Sequence, residues 1–251
     1  MKQTRGHCLL VGVGGSGRHS LTRLATYIAG YDLVQLEINK EYSISAFKED
    51  IKRMNERAGV TNKPVVFLFS DNDVVNEAFL EDVNNILSQG EVPNIYSNDE
   101  MNVLRESVRK AAREHKIMET PEKLFEFFMS RVRDNLHVSF CISPIGDNFR
   151  NYLRMYPGLV NNTTINWFMP WPQDALYEVA QRNLTEKSEF EPEMINNLSD
   201  IFCQMHVSVS DAVERYEEEL KRTTYVTPTN YLELVNGYLK LLADKQKEVG
   251  Q

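Results

Sequence analysis

The sequence predicts an α/β fold in which a parallel sheet is flanked by helices and followed by a smaller, all-helical part. Three observations carry this prediction. Short apolar runs alternate with amphipathic stretches over the first two-thirds of the chain, the order that produces parallel strands joined by helical crossovers. The run Val65-Val66-Phe67-Leu68-Phe69 is apolar at every position, as a strand covered on both faces must be. From Trp171 onward strand signals stop and only helical periodicity remains. The chain is accordingly divided at Pro170, into an α/β part (1–170) and a helical part (171–251).

Taken in order, Cys8 to Val13 reads as a buried strand bounded by glycines. The helix after it is expected from Ser20 to Ala29, with Leu21, Leu24, Ala25 and Ile28 as its buried stripe and Gly30 as its C-terminal cap. Leu33 to Ile38 is the second strand, Ile44 to Gly59 a polar amphipathic helix, and Pro64 opens the third strand. Asn76 to Ser88 is helical on the stripe Phe79, Leu80, Val83, Ile86 and Leu87. Residues 98–134 carry two helices parted near Thr120 and Pro121, a capping residue followed by proline at the first helical position. His137 to Ile142 is the fourth strand, Phe149 to Met155 a short helix and Thr163 to Phe168 a fifth strand. Trp167, Phe168 and Trp171 are read as packing between the two parts. Later helices open at Pro172, near Pro192 and at Pro228. In the last of them Leu232, Val235, Leu239, Leu242 and Val249 recur at three- and four-residue steps. Both lid-core packing and the start of a coiled-coil seam produce that pattern. The first strand begins almost at the N-terminus and the last helical pattern runs to the end, so the chain is expected to be part of something larger.

Composition narrows the function classes. Of 251 residues, 42% are hydrophobic and 25% charged, the ordinary range for a folded chain. No apolar run approaches the roughly 18 residues of a membrane helix, so no membrane partner is expected. A net charge of -8 argues against nucleic acid, whose phosphates are bound by clustered Lys and Arg. Cys8, Cys141 and Cys203 lack metal-ligand spacing and read as buried thiols of a reduced, cytoplasmic protein; no metal ligands are assigned.

The chemistry sits in the loop Gly12-Val13-Gly14-Gly15-Ser16-Gly17, between the first strand and its helix. Glycines let backbone N–H groups converge on a phosphate, and the helix N-terminus adds partial positive charge. Two frames fit. Gly12, Gly14 and Gly17 satisfy the dinucleotide pattern, with Glu37 about 20 residues on as a ribose-binding acid. Gly12 and Gly17 also satisfy the P-loop frame, with Arg18 in place of Lys and His19 in place of Ser/Thr. A P-loop enzyme needs a further apolar strand ending in acid. Val65 to Phe69 followed by Ser70 and Asp71 supplies that outline. A dehydrogenase needs a catalytic set in its second half, and none is found; His115 and His206 fall on helical segments and read as structural.

The stretch Cys8 to Leu24 resembles the P-loop of dynein heavy-chain motor modules, which are of the AAA+ type. So do Gln89 to Asn94, Asn148 to Val160, Thr164 to Phe168 with Trp171 and Pro172, and Val226 to Leu234. These motifs span nearly the whole chain in the expected order. Arg18 in the loop and the Leu68-Phe69-Ser70-Asp71 ending are most similar to the fourth ring module of an axonemal dynein. The resemblance implies an AAA+ P-loop domain with a helical lid leading towards a stalk. It also implies ATP or ADP as ligand and location in the cytoskeleton of a ciliary or flagellar axoneme. Implied partners are the neighbouring modules of the same heavy chain and other dynein chains. The microtubule is reached through the stalk, not through this module.

Roles follow residue by residue from the resemblance. Gly12, Val13, Gly14, Gly15, Ser16 and Gly17 supply the amide cradle, with Arg18, His19 and Ser20 at the helix start. Arg18 keeps the charge of the usual Lys in a bulkier planar fork. His19 lacks the hydroxyl that ligates Mg²⁺, and Ser20 stands one residue late. Ser70 replaces the magnesium-linked acid. Asp71 stands at the water-activating position, Ser143 at the sensor position, and Arg154 (or Arg150) at that of the arginine finger offered to a neighbour. Thr229 stands where related modules carry a sensor arginine. Arginine fingers contribute on the order of 10³ to 10⁵ in rate, and a factor of ten corresponds to about 1.4 kcal/mol of barrier. Weakened metal contacts and a missing sensor Arg therefore predict binding with weak or no hydrolysis. Two other readings stay open: an NAD(P)-binding oxidoreductase domain using Glu37, and a structural ring segment with an empty site. As local alternatives, Asp71 starts a turn with Asn72 and Asp73, Ser143 caps a strand end, and Arg154 is a surface ion-pair partner.

Overall fold

Helix boundaries follow the local punctuation of the chain. The computed structural model describes residues 3–39, 41–222 and 224–249. The elements run β1 (Cys8–Val11), α1 (Arg18–Ala29), β2 (Asp32–Gln35), α2 (Ile44–Gly59), β3 (Val65–Ser70), α3 (Glu77–Gln89), α4 (Asn98–Glu114), α5 (Pro121–Asn135) and β4 (Leu136–Ile142). They continue through α6 (Asp147–Met155), α7 (Gly158–Asn161), β5 (Thr164–Trp167), α8 (Gln173–Lys187), α9 (Pro192–Leu220) and α10 (Pro228–Val249). Asn76 accepts from Ala78 N–H at the start of α3, and Thr120 accepts from Lys123 N–H at the start of α5. Gly30 and Gly90 close α1 and α3 in the left-handed region, where a residue without Cβ carries no steric penalty. The short helix α7 and a 3-10 turn at Asp71–Asp73 were not expected, because each is a single turn without a periodic stripe. β1 and β2 end two and three residues earlier than the apolar runs suggest.

The chain forms two units by contact: residues 1–12 with 17–168, and residues 13–16 with 169–251. In the first, five parallel strands lie in the order β2-β3-β4-β1-β5. β3 and β4 are buried at every position. One sheet face carries the main core, where Phe67, Phe69 and Phe140 meet Phe47 of α2, Phe79 of α3 and Phe128 of α5. The other face is thin, an apolar cluster of Leu10, Leu68 and Cys141 with Phe168 against it.

That thin face corrects the expected orientation of α1. Its buried residues are Thr22 and Thr26, whereas Leu21, Leu24 and Ile28 are exposed at 52%, 52% and 75%, and Ala25 is exposed too. The reason lies on β4. Ser139 is fully buried there, and its hydroxyl pairs with that of Thr22 at 3.2 Å. A buried hydroxyl needs a partner, so the helix turns its threonines inward. At the chain's middle, Trp167 meets Phe149 edge-on at 5.9 Å in the first unit, and Trp171 packs against the core of the helical unit. In the second unit α8, α9 and α10 bury Leu176, Ala180, Leu184, Ile195, Phe202, Tyr231, Val235 and Leu239 together. Val235 and Leu239 thus serve core packing; the side chain of Val249 lies outside the described residues.

Candidate functional site

The loop after β1 is anchored at its start, where Gly12 N–H donates to the Ile142 carbonyl at 3.1 Å. Gly15 and Gly17 adopt φ of 77° and 96°, the left-handed region that favours glycine. Gly17 caps α1 without a side-chain hydrogen bond, so among the described residues no side chain caps the helix's leading N–H groups. Ser16 is buried with its Oγ unpaired, and the buried Nη1 of Arg18 is likewise without a partner among the described residues. Buried polar atoms are normally satisfied, and donors at a helix N-terminus are satisfied by an anion. These residues therefore fit the phosphates of a nucleotide. Val13 is half-buried, Gly14 and Ser20 exposed. Within the second unit Thr229 covers the loop so closely that a Cβ on Gly15 would stand 2.3 Å from its Oγ1.

In the first unit the polar groups cluster at the C-terminal ends of β3 and β4, the edge of a parallel sheet where ligands bind. The Ser143 N–H donates to Asp71 Oδ2 at 2.7 Å, so the structure brings these two predicted residues together. Asp71 Oδ1 also accepts from Asn72 N–H at 3.1 Å, the expected turn, and the Ser143 hydroxyl accepts from Ile145 N–H at 3.3 Å. Asp73, expected only to share a turn with Asp71, accepts both the N–H and the hydroxyl of Ser70 through one oxygen, Oδ2, at 2.9 and 2.7 Å. The available signal was the three-residue spacing from Ser70 to Asp73, a capping-box pattern.

Electrostatics tie these groups to the helix start. Burial, then the charge of Arg18, hold His19 below the ordinary histidine range; Asp73 and Asp71 pull the other way. A neutral imidazole there offers no hydroxyl to a metal. Burial pushes the Cys141 thiol up to about 12 against the pull of Arg18, so it stays protonated and inert at neutral pH.

The remaining predicted residues lie apart from this cluster. Arg150 and Arg154 are exposed on α6, and among the described residues neither forms an ion pair. The α6–α7 segment is held to α3 by Gly158 N–H donating to Asn84 Oδ1 at 2.9 Å and by the Tyr156 hydroxyl on the Glu77 carbonyl. Glu37 is exposed two residues past β2. His115 bonds the Ala111 carbonyl at 2.9 Å and His206 meets the Tyr231 ring edge-on, both structural roles. A cleft of the first unit, about 500 Å³ and lined by Leu10, Leu21, Thr22, Trp167 and Phe168 among others, includes none of Ser70, Asp71 or Ser143.

A family model described as the P-loop containing dynein motor region D4 matches residues 1–241. The chain is 49% identical over 248 residues to dynein axonemal heavy chain 2 of Mus musculus, covering 98% of this chain and 6% of that protein. It is 49% identical over 249 residues to the dynein-1-beta heavy chain, flagellar inner arm I1 complex, of Chlamydomonas reinhardtii, covering 99% and 6%. Dynein axonemal heavy chain 6 of Homo sapiens is 44% identical over 250 residues, with the same coverage. The chain thus spans about 6% of the length of the relatives it matches.

Proposed function

The chain belongs to the family of P-loop containing dynein motor regions of the D4 type, and from that premise we propose that it is a regulatory, nucleotide-holding module of an axonemal dynein motor ring. It binds ATP or ADP, turns it over slowly or not at all, and passes the bound state on as a change of conformation. Its working place is the axoneme of a cilium or flagellum. Its immediate partners are neighbouring modules of the same heavy chain, with the microtubule reached elsewhere. The first unit is the large nucleotide-binding subdomain and the helical unit is the lid leading towards a stalk.

The observation that carries this reading is an imbalance at the loop. Its anion-receiving groups are intact: left-handed glycines, uncapped helix amides, and unmet polar atoms on Ser16 and Arg18. The groups that anchor a metal and drive hydrolysis are substituted or occupied. His19 replaces a hydroxyl, Ser70 replaces an acid, and both oxygens of Asp71 already accept backbone N–H groups. A carboxylate held at both oxygens by the backbone has fewer lone pairs left to orient a water. Arg154, exposed on α6, is suited to act on a neighbour's site and not on this one.

Calorimetric titration with ATP, ADP and NAD, with Mg²⁺ and with EDTA, tests the proposal together with phosphate release from the same sample. Adenine-nucleotide binding that survives chelation, without phosphate release, is the expected result. Rapid hydrolysis by the isolated chain overturns the regulatory role. Binding of NAD that is lost in Glu37→Ala makes it an oxidoreductase domain, and no binding of any nucleotide makes it a structural segment.

A further inference from the structure

The core of the helical unit anchors only the first half of α9. The buried residues of that helix are Ile195, Ser199, Phe202 and Cys203, and from Gln204 to Leu220 none is buried. A rod of about 25 Å is left without a core beneath it. Local chemistry does not account for its order. Val207 and Val209 are β-branched, and Ser208 and Ser210 turn their hydroxyls onto the Met205 and His206 carbonyls, so all four are weak helix formers.

The charges are also placed against the helix. Glu217, Glu218 and Glu219 crowd its C-terminal end, where the dipole favours cations, and the last turn holds no base. Glu214 and Glu218 repel at a four-residue step. Between Asp200 and Leu220 the single Lys or Arg is Arg215, and it gives its Nε to the Asp211 carbonyl at 3.4 Å. Among the described residues no acid of this stretch forms an ion pair, nor do Lys221 and Arg222 beyond it.

One side of the same rod is apolar. Ile201, Met205, Val209, Tyr216 and Leu220 recur at steps of four and seven residues, which a helical period lines up, and they are 38–56% exposed. Glu217 follows Tyr216 and Glu219 precedes Leu220, so an acid borders the stripe on each side. An apolar seam bordered by one sign of charge is the pattern by which paired helices choose partners. A second copy laid along it adds only more acids. A helix with basic borders relieves both the exposed stripe and the unpaired carboxylates.

We propose that the second half of α9 is the docking strip for an amphipathic partner helix whose apolar face is bordered by Lys and Arg. The proposal does not depend on nucleotide holding.

The test is anisotropy titration of labelled helical peptides with the full chain. One peptide has a Leu stripe with Lys borders, one the same stripe with Glu borders, and one Lys borders with Ser in place of Leu. The first is bound, and more weakly as salt rises; the other two are not. Val209→Glu, at an exposed position, weakens the first by about tenfold, as loss of a central apolar anchor does. Glu217→Lys with Glu219→Lys inverts the preference, so that the Glu-bordered peptide is taken instead. Leu24→Gln, in the exposed stripe of α1, leaves binding unchanged, and matched thermal melts confirm folding of every variant. A parent that takes the Ser peptide as well as the Leu peptide overturns the proposal. So does a folded Val209→Glu that keeps full binding, or a charge reversal without effect. A parent that sediments as a dimer and becomes monomeric in Val209→Glu gives the strip to a second copy, and overturns it too.

Discussion

His7 carries the clearest single-residue consequence. It is buried at the head of β1, where its Nδ1 accepts from Val138 N–H at 3.0 Å, which requires a neutral ring at that atom. Burial first, then the nearby His137 and Arg5, lower its pKa from 6.5 to about 4. Above pH 6.5 the ring is neutral folded or unfolded, and the stability it contributes is fully present. As pH falls from 6.5 to about 4 the unfolded chain takes up a proton that the folded chain refuses. Stability then drops by about 1.4 kcal/mol per unit, on the order of 3 kcal/mol in all. Urea midpoints measured at pH 7 and pH 4.5 should diverge by that part in the parent. They should diverge less in His7→Asn, whose amide oxygen replaces Nδ1 as acceptor; equal acid losses in the two chains sink the attribution. Nothing in the sequence marks His7 as buried, because its partner on β4 lies 131 residues away. The same distance problem hid the Asp71–Ser143 bond, which spans 72 residues, although each residue was singled out on its own.

Among the elements, α1 separates what local pattern decides from what tertiary partners decide. Its end at Gly30 was legible because a left-handed cap is a local matter, as were the starts at Asn76 and at Thr120-Pro121. Its facing was not legible. An apolar stripe is ordinarily buried, yet here it lies outward because β4 offers Ser139 to Thr22. The energetic expectation follows directly. Leu24→Gln should change stability by no more than about 0.5 kcal/mol, the usual range for an exposed position. Phe67→Ala, inside the main core, should cost about 3–5 kcal/mol. Denaturant unfolding of the two variants checks this; a Leu24→Gln loss as large as that of Phe67→Ala would mean that the stripe is covered. The 3-10 turn at Asp71–Asp73 is the other element the pattern could not announce. Three residues have no periodicity to read, and only the spacing from Ser70 to Asp73 hints at a cap.

On the scale of the whole chain, the sheet's two faces are unequal. One is filled by aromatic and aliphatic side chains from α2, α3 and α5. The other meets α1 through two threonines, whose hydroxyls bond the helix's own carbonyls at Arg18 and Thr22 as well as Ser139. Little apolar area is removed from water beneath α1, so little free energy holds it down. The helix that begins at the phosphate loop is therefore expected to open locally at lower cost than α2, α3 or α5, each of which buries an apolar stripe. Amide deuterium uptake should expose this. The N–H groups of α1 should exchange well before those of α2, β3 and β4, and ADP should slow them selectively. Uptake in α1 as slow as in β3 without nucleotide would contradict it. A loosely seated helix would give a bound nucleotide a device to tighten: the phosphate loop leads straight into an element whose order the core secures only weakly, so occupancy would be written as rigidity.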